Sequence, residues 1–545
     1  MRLDELTIGS FKNLRDLRIN FDEESPYTVL VGENGTGKSN LLEALTYIFR
    51  NLDLGLDAPF DFLLKYSCRD SELEIRGVSG NPVVYRRRPM GNKTYERLTK
   101  RQFMAEDERG PLYRPAFVFG YYSGPGDRLA SLYSKHQEQF YNWIIRPPER
   151  RDRQISDPNI LRRLFYAQDL HGQFALIAFF MESEGDAAED RRFLQEHLSI
   201  DGLDSVLFAL KQPPWQRPKS GGDDRFWGAQ GEVQAFLDRL HGKALLPMRL
   251  PRRMPTGFGK LRSVENLYLY LPGTTDLESV YREYGDQYRF FTALESTHLS
   301  GLLAEVRTRV RISAASGGGA VTYRDLSDGE QQLLLVLGLL KFTARSESLF
   351  LLDEPDTHLN PAWSTQYLEF LNRFIPDPRS CHIVMASHDP LVFSSLHRSQ
   401  VQIMECGDDG VVRAEPPSQD PRGMGIQAIL ASDLFRLPSG GLDSPTVRDL
   451  DKQRRLGQAA DLAPEQEHEL DRVNRRLRER GFWKSARDPI YQLFREKFVP
   501  RWLESEASPD DRSEQLTVDE VHRREAIADD IAAEIAAELA AERAE

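Results

Sequence analysis

The chain has 545 residues, 40% of them hydrophobic and 28% charged, which supports several cores and excludes wholesale disorder. Its three cysteines, Cys68, Cys381 and Cys406, cannot build a disulfide framework, and their spacing offers no zinc site. The longest apolar runs, 174–181 and 333–340, are far short of the roughly 20 residues of a membrane span. The start, Met1-Arg-Leu-Asp-Glu, is charged where a signal peptide would be apolar, so a soluble cytoplasmic protein with no membrane partner is expected.

The net charge is −13, and residues 504–545 hold most of it, with 14 Asp and Glu against 4 Lys and Arg. The remainder is close to neutral, so the acidic balance does not exclude nucleic-acid binding elsewhere.

In chain order, 3–8, 17–21 and 27–31 read as strands, and 40–49 has helical spacing. Residues 72–86 and 115–122 are further strand candidates. From 126 onward helical patterns dominate, at 159–170, 172–181, 188–197 and 231–241, with Pro/Gly-rich breaks at 213–222 and 251–259. No repeat and no sustained heptad appears. Residues 328–343 and 361–374 then read as helices, alternating with strands at 348–352, 381–386 and 400–405. Cys406-Gly-Asp-Asp-Gly410 reads as a hairpin turn. Beyond 420 the pattern is helical, with Pro445, Pro464 and Pro489 at helix starts and Gly481 at a helix end.

Four motifs carry chemistry. Gly32-Glu-Asn-Gly-Thr-Gly-Lys-Ser39 has the G-x-x-x-x-G-K-[ST] spacing between a strand and a helix. Its glycines let backbone amides wrap a phosphate at the helix N-terminus. Lys38 is expected to bridge the terminal phosphates and Ser39 to hold Mg²⁺. Leu349-Phe-Leu-Leu-Asp-Glu-Pro355 puts two carboxylates at the carboxyl end of a buried strand, where open α/β sheets bind ligands. Asp353 is the expected metal ligand and Glu354 the group that polarises the attacking water. Leu326-Ser-Asp-Gly-Glu-Gln-Gln332 opens an apolar helix, and Ser327 and Gly329 offer either a second phosphate site or a plain helix cap. Ala386-Ser-His-Asp-Pro390 places His388 just after a strand, able to donate to a γ-phosphate.

The order of these motifs resembles the head of the SMC-related ABC-type ATPases. Phe11-Lys-Asn-Leu-Arg15 is similar to their N-terminal strand–turn beside the adenine, and Asp356-Thr-His-Leu-Asn-Pro361 to their D-loop. The likeness covers about 1–125 and 320–410. It implies an α/β fold: a P-loop ATPase head with a helical insertion and an all-helical C-terminal region. It implies ATP and Mg²⁺ held by Lys12, Asn13, Asn34, Gly35, Thr36, Gly37, Lys38, Ser39 and Asn40, with Ser327, Gly329 and Glu330 supplied by a second subunit. Ser39 and Asp353 would bind the metal, and Glu354 and His388 would be catalytic. Asp328 replaces a glycine common in the family. Tyr122-Ser-Gly-Pro stands where the family has a Q-loop glutamine, and Gln137 and Gln139 lie further on, in a helical pattern.

The expected domains are head 1–125, mostly helical insertion 126–319, head 320–425, helical partner-docking region 426–503 and acidic tail 504–545. The lack of heptads excludes a long-armed SMC tether. No Asp-x-Asp follows a β-run after 410, and Asp408-Asp409 reads as a turn, so a nuclease site of the kind found in overcoming-lysogenization-defect proteins is not expected. The layout is most similar to the ATPase subunit of Septu-type, retron-linked antiphage systems. That likeness implies an ATP-sandwiched homodimer or higher oligomer controlling a separate, HNH-type nuclease. A DNA-clamping repair ATPase and a nucleotide-sensing scaffold are the alternatives. Lys243, Arg249, Arg252, Arg253, Lys260 and Arg262 fall in 243–262 with no acid, which suits nucleic-acid phosphates or a solvated loop. Arg86-Arg-Arg88 is a weaker case. In the tail, Ile527, Ile531, Ile535 and Leu539 form a stripe fit for one partner helix.

Overall fold

The computed structural model describes residues 1–21, 25–108, 110–124, 128–144, 163–181, 186–213, 222–256, 260–343, 347–375, 379–437, 442–458, 463–480, 494, 497, 498, 501, 522 and 526–535. The chain divides into two units, Met1–Gly440 and Gly441–Glu545.

The first unit is built on a seven-stranded sheet. Its order is Leu164–Tyr166, Phe117–Tyr122, Ser348–Asp353, Cys381–Ala386, Tyr27–Val31, Val401–Cys406 and Val412–Glu415, all parallel but the last. Strands Tyr27–Val31, Ser348–Asp353 and Cys381–Ala386 are buried at every residue. Their apolar runs suit strands covered on both faces. Alternate residues feed two cores. Val29, Phe350, Leu352, Ile383 and Met385 pack with helices Asp169–Phe179, Asp328–Thr343 and Pro361–Phe374. Leu30, Leu349, Leu351 and Val384 pack with helix Lys38–Leu54 and a six-stranded antiparallel sheet. That sheet runs Leu14–Asn20, Arg2–Phe11, Phe62–Cys68, Ser71–Gly77, Val84–Pro89 and Glu96–Leu98.

Two buried polar networks tie distant segments of this unit together. His382 is fully buried. Its Nδ1 accepts from the Leu3 N–H at 2.9 Å, and its Nε2 lies 3.0 Å from Thr28 Oγ1. At the far end of helix Lys38–Leu54, Asp53 meets Arg163 at 2.8 Å and His136 at 3.0 Å, and Arg114 at 2.5 Å. Glu106 pairs with the same two arginines, so the charges are compensated.

Among the described residues the insertion mixes helix with sheet. It holds the helices Ala130–Ile144, Asp169–Phe179, Asp186–Leu198, Gly231–Lys243, Thr274–Arg282 and Gln287–Leu299, but also a five-stranded antiparallel sheet. The sheet order is Met248–Thr256, Lys260–Pro272, Ile200–Lys211, Leu303–Ile312 and Ala320–Thr322. The reason is period-two patterning: in Leu303–Ile312, Val306, Thr308 and Val310 are buried while Arg307, Arg309 and Arg311 are exposed. Residues 164–166 are an edge strand rather than part of a helix, and 159–162 lie outside the described residues.

The C-terminal boundary also moves. Helix Ile426–Ala431 belongs to the first unit, with Ile429 fully buried and Leu434 in the same core. Within the second unit, helices Ser444–Gln458 and Pro464–Glu479 pair through Arg476–Asp449 at 2.6 Å and Gln453–Asn474 at 2.7 Å. Val473 and Leu477 are buried there. Ile531 and Ile535 are buried as well, and Glu534 between them bonds Lys497 at 3.1 Å and Arg501 at 2.7 Å. The tail stripe is therefore already covered at those two positions rather than open to a partner helix. Leu539, Gly481 and Pro489 lie outside the described residues. Among the described residues no helix is long and apolar enough to cross a membrane.

Candidate active site

The phosphate loop leaves strand Tyr27–Val31 and enters helix Lys38–Leu54. Two of its glycines are dictated by space. A Cβ on Gly32 (φ +153°) would sit 2.2 Å from the Met404 carbonyl, and one on Gly37 (φ +101°) 2.6 Å from Leu14 and 3.0 Å from Asn13. The expected strand–turn lies against this loop. Asn13 Nδ2 donates to the Gly35 carbonyl at 2.8 Å and Asn40 Nδ2 bonds Asn13 Oδ1. Lys12, in left-handed backbone at φ +54°, pairs with Glu43, as does Arg128. Thr36 Oγ1 donates to the Glu33 carbonyl at 2.9 Å, and Asn34 stays exposed at the loop tip. Lys38 is buried. It donates to the Gly32 and Glu33 carbonyls at 2.7 and 3.1 Å. Burial draws its ammonium below the usual lysine range, opposed by Glu354 and Asp353.

Asp353 and Glu354 end strand Ser348–Asp353 beside that lysine. Burial pushes the Asp353 carboxyl up to about 6, while a hydrogen bond with Ser39 works the other way. Glu354 sits at φ +52°, a backbone region that costs a non-glycine residue about 1–3 kcal/mol. Its N–H donates to the Ala386 carbonyl at 2.9 Å, and His388 Nε2 lies 3.7 Å from its Oε1. Burial, then the Lys38 charge, lowers the His388 pKa below the usual histidine value. Asp356, buried in the following loop, accepts from the Ser387 hydroxyl, and burial pushes its carboxyl up to about 7. A cavity of about 250 Å³ opens between Glu354, Asp356, Thr357, Leu359, His388 and Asp389.

The structure thus gathers Lys38, Ser39, Asp353, Glu354 and His388 at the carboxyl ends of three adjacent strands. Ser327, Gly329 and Glu330 stand apart. Among the described residues no hydrogen bond or ion pair joins them to the phosphate loop. Instead the Ser327 N–H and hydroxyl donate to Glu330 at 2.7 and 2.8 Å, a closed capping box. Sequence reasoning gave no role to Gln332, the last residue of the Leu326–Gln332 motif, which is buried against the end of strand Ser348–Asp353; a Q-loop glutamine was sought separately, after 115–122. A polar residue heading the apolar run 333–340 was the available signal. At the place where it was sought, the Ser123 N–H donates to the Asp353 carbonyl at 3.2 Å.

The residues fit a nucleotide with a divalent cation. The loop supplies a glycine cradle and a buried cation, and the Ser39 hydroxyl with the Asp353 carboxylate supplies two oxygen donors side by side, the set Mg²⁺ prefers.

Two family profiles match. "AAA ATPase domain" spans 1–78 and "AAA domain, putative AbiEii toxin, Type IV TA system" spans 254–394. The first holds the phosphate loop, the second the other three motifs. A "Retron Vc95 probable ATPase" of Vibrio cholerae serotype O1 biovar El Tor is 19% identical over 455 residues, 79% of this chain and 78% of that protein. Two solved structures align at low TM-scores. "SmcHead bound to the C-winged helix domain of ScpA" has 14% identity and TM-score 0.29, covering 76% of this chain and 97% of that one. Stu0660 of Streptococcus thermophilus has 10% identity and TM-score 0.22, covering 90% and 99%. The family matches and the site geometry support a P-loop ATPase fold of the AAA class.

The raised carboxyl of Asp356 has a testable sign. A group whose folded pKa lies above its unfolded value stabilises most on the acid side, and that contribution is lost as pH rises through about 7. In Asp356→Asn the amide stays neutral and can still meet Ser387. The melting temperature of the nucleotide-free variant should fall less between pH 6 and pH 8.5 than that of the parent. Parallel pH–Tm curves would show that Asp356 is already ionised in the folded protein at neutral pH.

Proposed function

We propose that this chain binds and hydrolyses ATP with Mg²⁺ as an SMC/ABC-like ATPase. The observation that carries the reading is the convergence of Lys38, Ser39, Asp353, Glu354 and His388 at the carboxyl end of the central parallel strands. The Gly32–Ser39 backbone amides and Lys38 hold the phosphates. Mg²⁺, held by Ser39 and Asp353, would neutralise charge on the terminal phosphates. Glu354 accepts a proton from the attacking water, and His388 donates toward the γ-phosphate. Among the described residues Ser327 bonds Glu330 and not the phosphate loop of its own chain, and we propose that a second copy brings its Ser327 and Gly329 to complete each site. Glu354→Gln should bind ATP normally while turnover falls about 100-fold or more, accumulating a closed dimer by gel filtration. Lys38→Ala should abolish ATP binding, measured by calorimetry. Parent-like turnover in Glu354→Gln would remove Glu354 from its role.

The biological output we propose is control of a separate HNH-type nuclease in antiphage defence. The retron-named relative supports the defence setting. The second unit, 441–545, is the proposed docking region. A chain ending at 440 keeps Ile429 and Leu434 in the ATPase core, so it should still bind ATP while losing the nuclease in co-purification from the native host. Full retention of a nuclease by that truncated chain would move the docking surface to the first unit.

A second reading, nucleic-acid binding, is favoured by the outer face of the five-stranded sheet. The basic run itself is less open than its composition suggests. Arg249 pairs with Glu265 on the neighbouring strand at 2.9 Å and lies over Trp227, and the side chains of 252–262 lie outside the described residues. Arg86 likewise pairs with Glu74 at 3.0 Å, and Arg88 with Glu72. The sheet's outer face carries Tyr268 and Tyr270 with Leu207 between Tyr270 and Arg307 in register, and exposed Arg309 and Arg311 beyond; Arg307 pairs with Glu305 at 3.0 Å and Arg309 lies 3.9 Å from Asp204, so a strand's phosphates would compete with these acids. Aromatic rings beside arginines suit bases and phosphates of a single strand. Tyr268→Ala with Tyr270→Ala should weaken binding of a fluorescent single-stranded oligonucleotide about tenfold or more, with the parent's affinity falling as salt rises. Unchanged affinity in the double variant would reject this face.

A further inference from the structure

The N-terminal end of helix Asp328–Thr343, which carries the signature motif Leu326–Gln332, and the end of strand Ser348–Asp353 are held together by one side chain. Gln332 is 4% exposed. Its Nε2 donates to the Glu354 carbonyl and to the Tyr121 hydroxyl, both at 3.2 Å. Its Oε1 accepts from the His358 N–H at 3.1 Å. Both amide hydrogens and the amide oxygen are thus used within the chain. One turn earlier, the helix backbone touches the same loop: a Cβ on Gly329 would sit 2.4 Å from the His358 carbonyl.

Glu354 needs such support. Its backbone is left-handed, at φ +52°. The peptide on its amino side is fixed by the bond to Ala386, and the peptide on its carboxyl side by Gln332. Only a side chain that donates and accepts at once can bind the Glu354 carbonyl and the His358 N–H together. An apolar replacement leaves two polar backbone groups without partners.

We propose that Gln332 is a positioning residue: it sets the backbone, and hence the carboxylate direction, of Glu354, and it couples that carboxylate to the signature end Ser327–Gly329. The consequence for catalysis rests on the ATPase reading above. Movement of the helix end, where a second subunit's phosphate would bind, is then felt by the carboxylate of the same chain. Signature occupancy at one site and water activation at the other become one mechanical event.

The test uses the full-length chain, with Gln332→Met and Gln332→Glu. In Gln332→Met, Mg-ATP affinity should stay within about threefold of the parent. Its kcat should fall about 10- to 100-fold, the size expected when a reacting group is displaced by about an ångström. Hydrogen exchange at the His358 amide, measured without nucleotide, should speed up about tenfold while helix Pro361–Phe374 is unchanged. Gln332→Glu adds a pH readout. Its carboxyl can donate to the Glu354 carbonyl only when protonated, so its turnover relative to the parent should decline from pH 6 to pH 9. Parent-like kcat in Gln332→Met, or parent-like exchange at His358, overturns the proposal while leaving the ATPase reading intact. A parent protein that binds but never hydrolyses ATP defeats that reading instead, and the His358 exchange rate then decides the proposal alone. If Gln332→Met does not fold, a flat pH ratio in Gln332→Glu overturns it.

Discussion

Everything at the site follows from strands that are buried on both faces. Tyr27–Val31, Ser348–Asp353 and Cys381–Ala386 have no solvent side on which to place polar groups. Charge can therefore collect only where the strands end, and there the phosphate loop, the two carboxylates and His388 meet. The same constraint explains the exceptions. His382 is polar within such a strand, and it is tolerated because Leu3 and Thr28 take both ring nitrogens.

The price of gathering these groups is visible in their protonation. Asp353 and Asp356 are pushed up and Lys38 and His388 down, with burial the leading cause in all four. Each shift favours the neutral form. A polyanion with its cation would reverse that preference at Lys38 and Asp353 by supplying opposite charge to both. These shifts fit a site that takes a charged guest.

The head was legible because its signals are local. The phosphate loop has a fixed spacing, and the buried parallel strands are unbroken apolar runs such as Leu349–Leu352. The insertion was not. Strand Ile200–Lys211 is interrupted by Gly202 and by register shifts, and Met248–Thr256 contains Pro251 and Pro255 among its arginines, so it read as a loop. Proline is tolerated there because the strand is at the sheet edge. Gln332 escaped for another reason. Its partners Glu354 and His358 are more than twenty residues away, so a polar residue heading an apolar run marks Gln332 without naming what it bonds.

The connectivity of the parallel sheet bears on how the protein is made. Strand Tyr27–Val31 pairs with Cys381–Ala386 on one side and Val401–Cys406 on the other, partners that follow it by more than 350 residues. During synthesis the phosphate loop leaves the ribosome more than 350 residues ahead of the two strands that flank its own. The intervening insertion, with its own sheet and helices, can condense meanwhile. Long-range parallel pairing is slow and leaves strand edges exposed. The phosphate loop therefore waits without its flanking strands, and nucleotide affinity should appear only once Val401–Cys406 has been made.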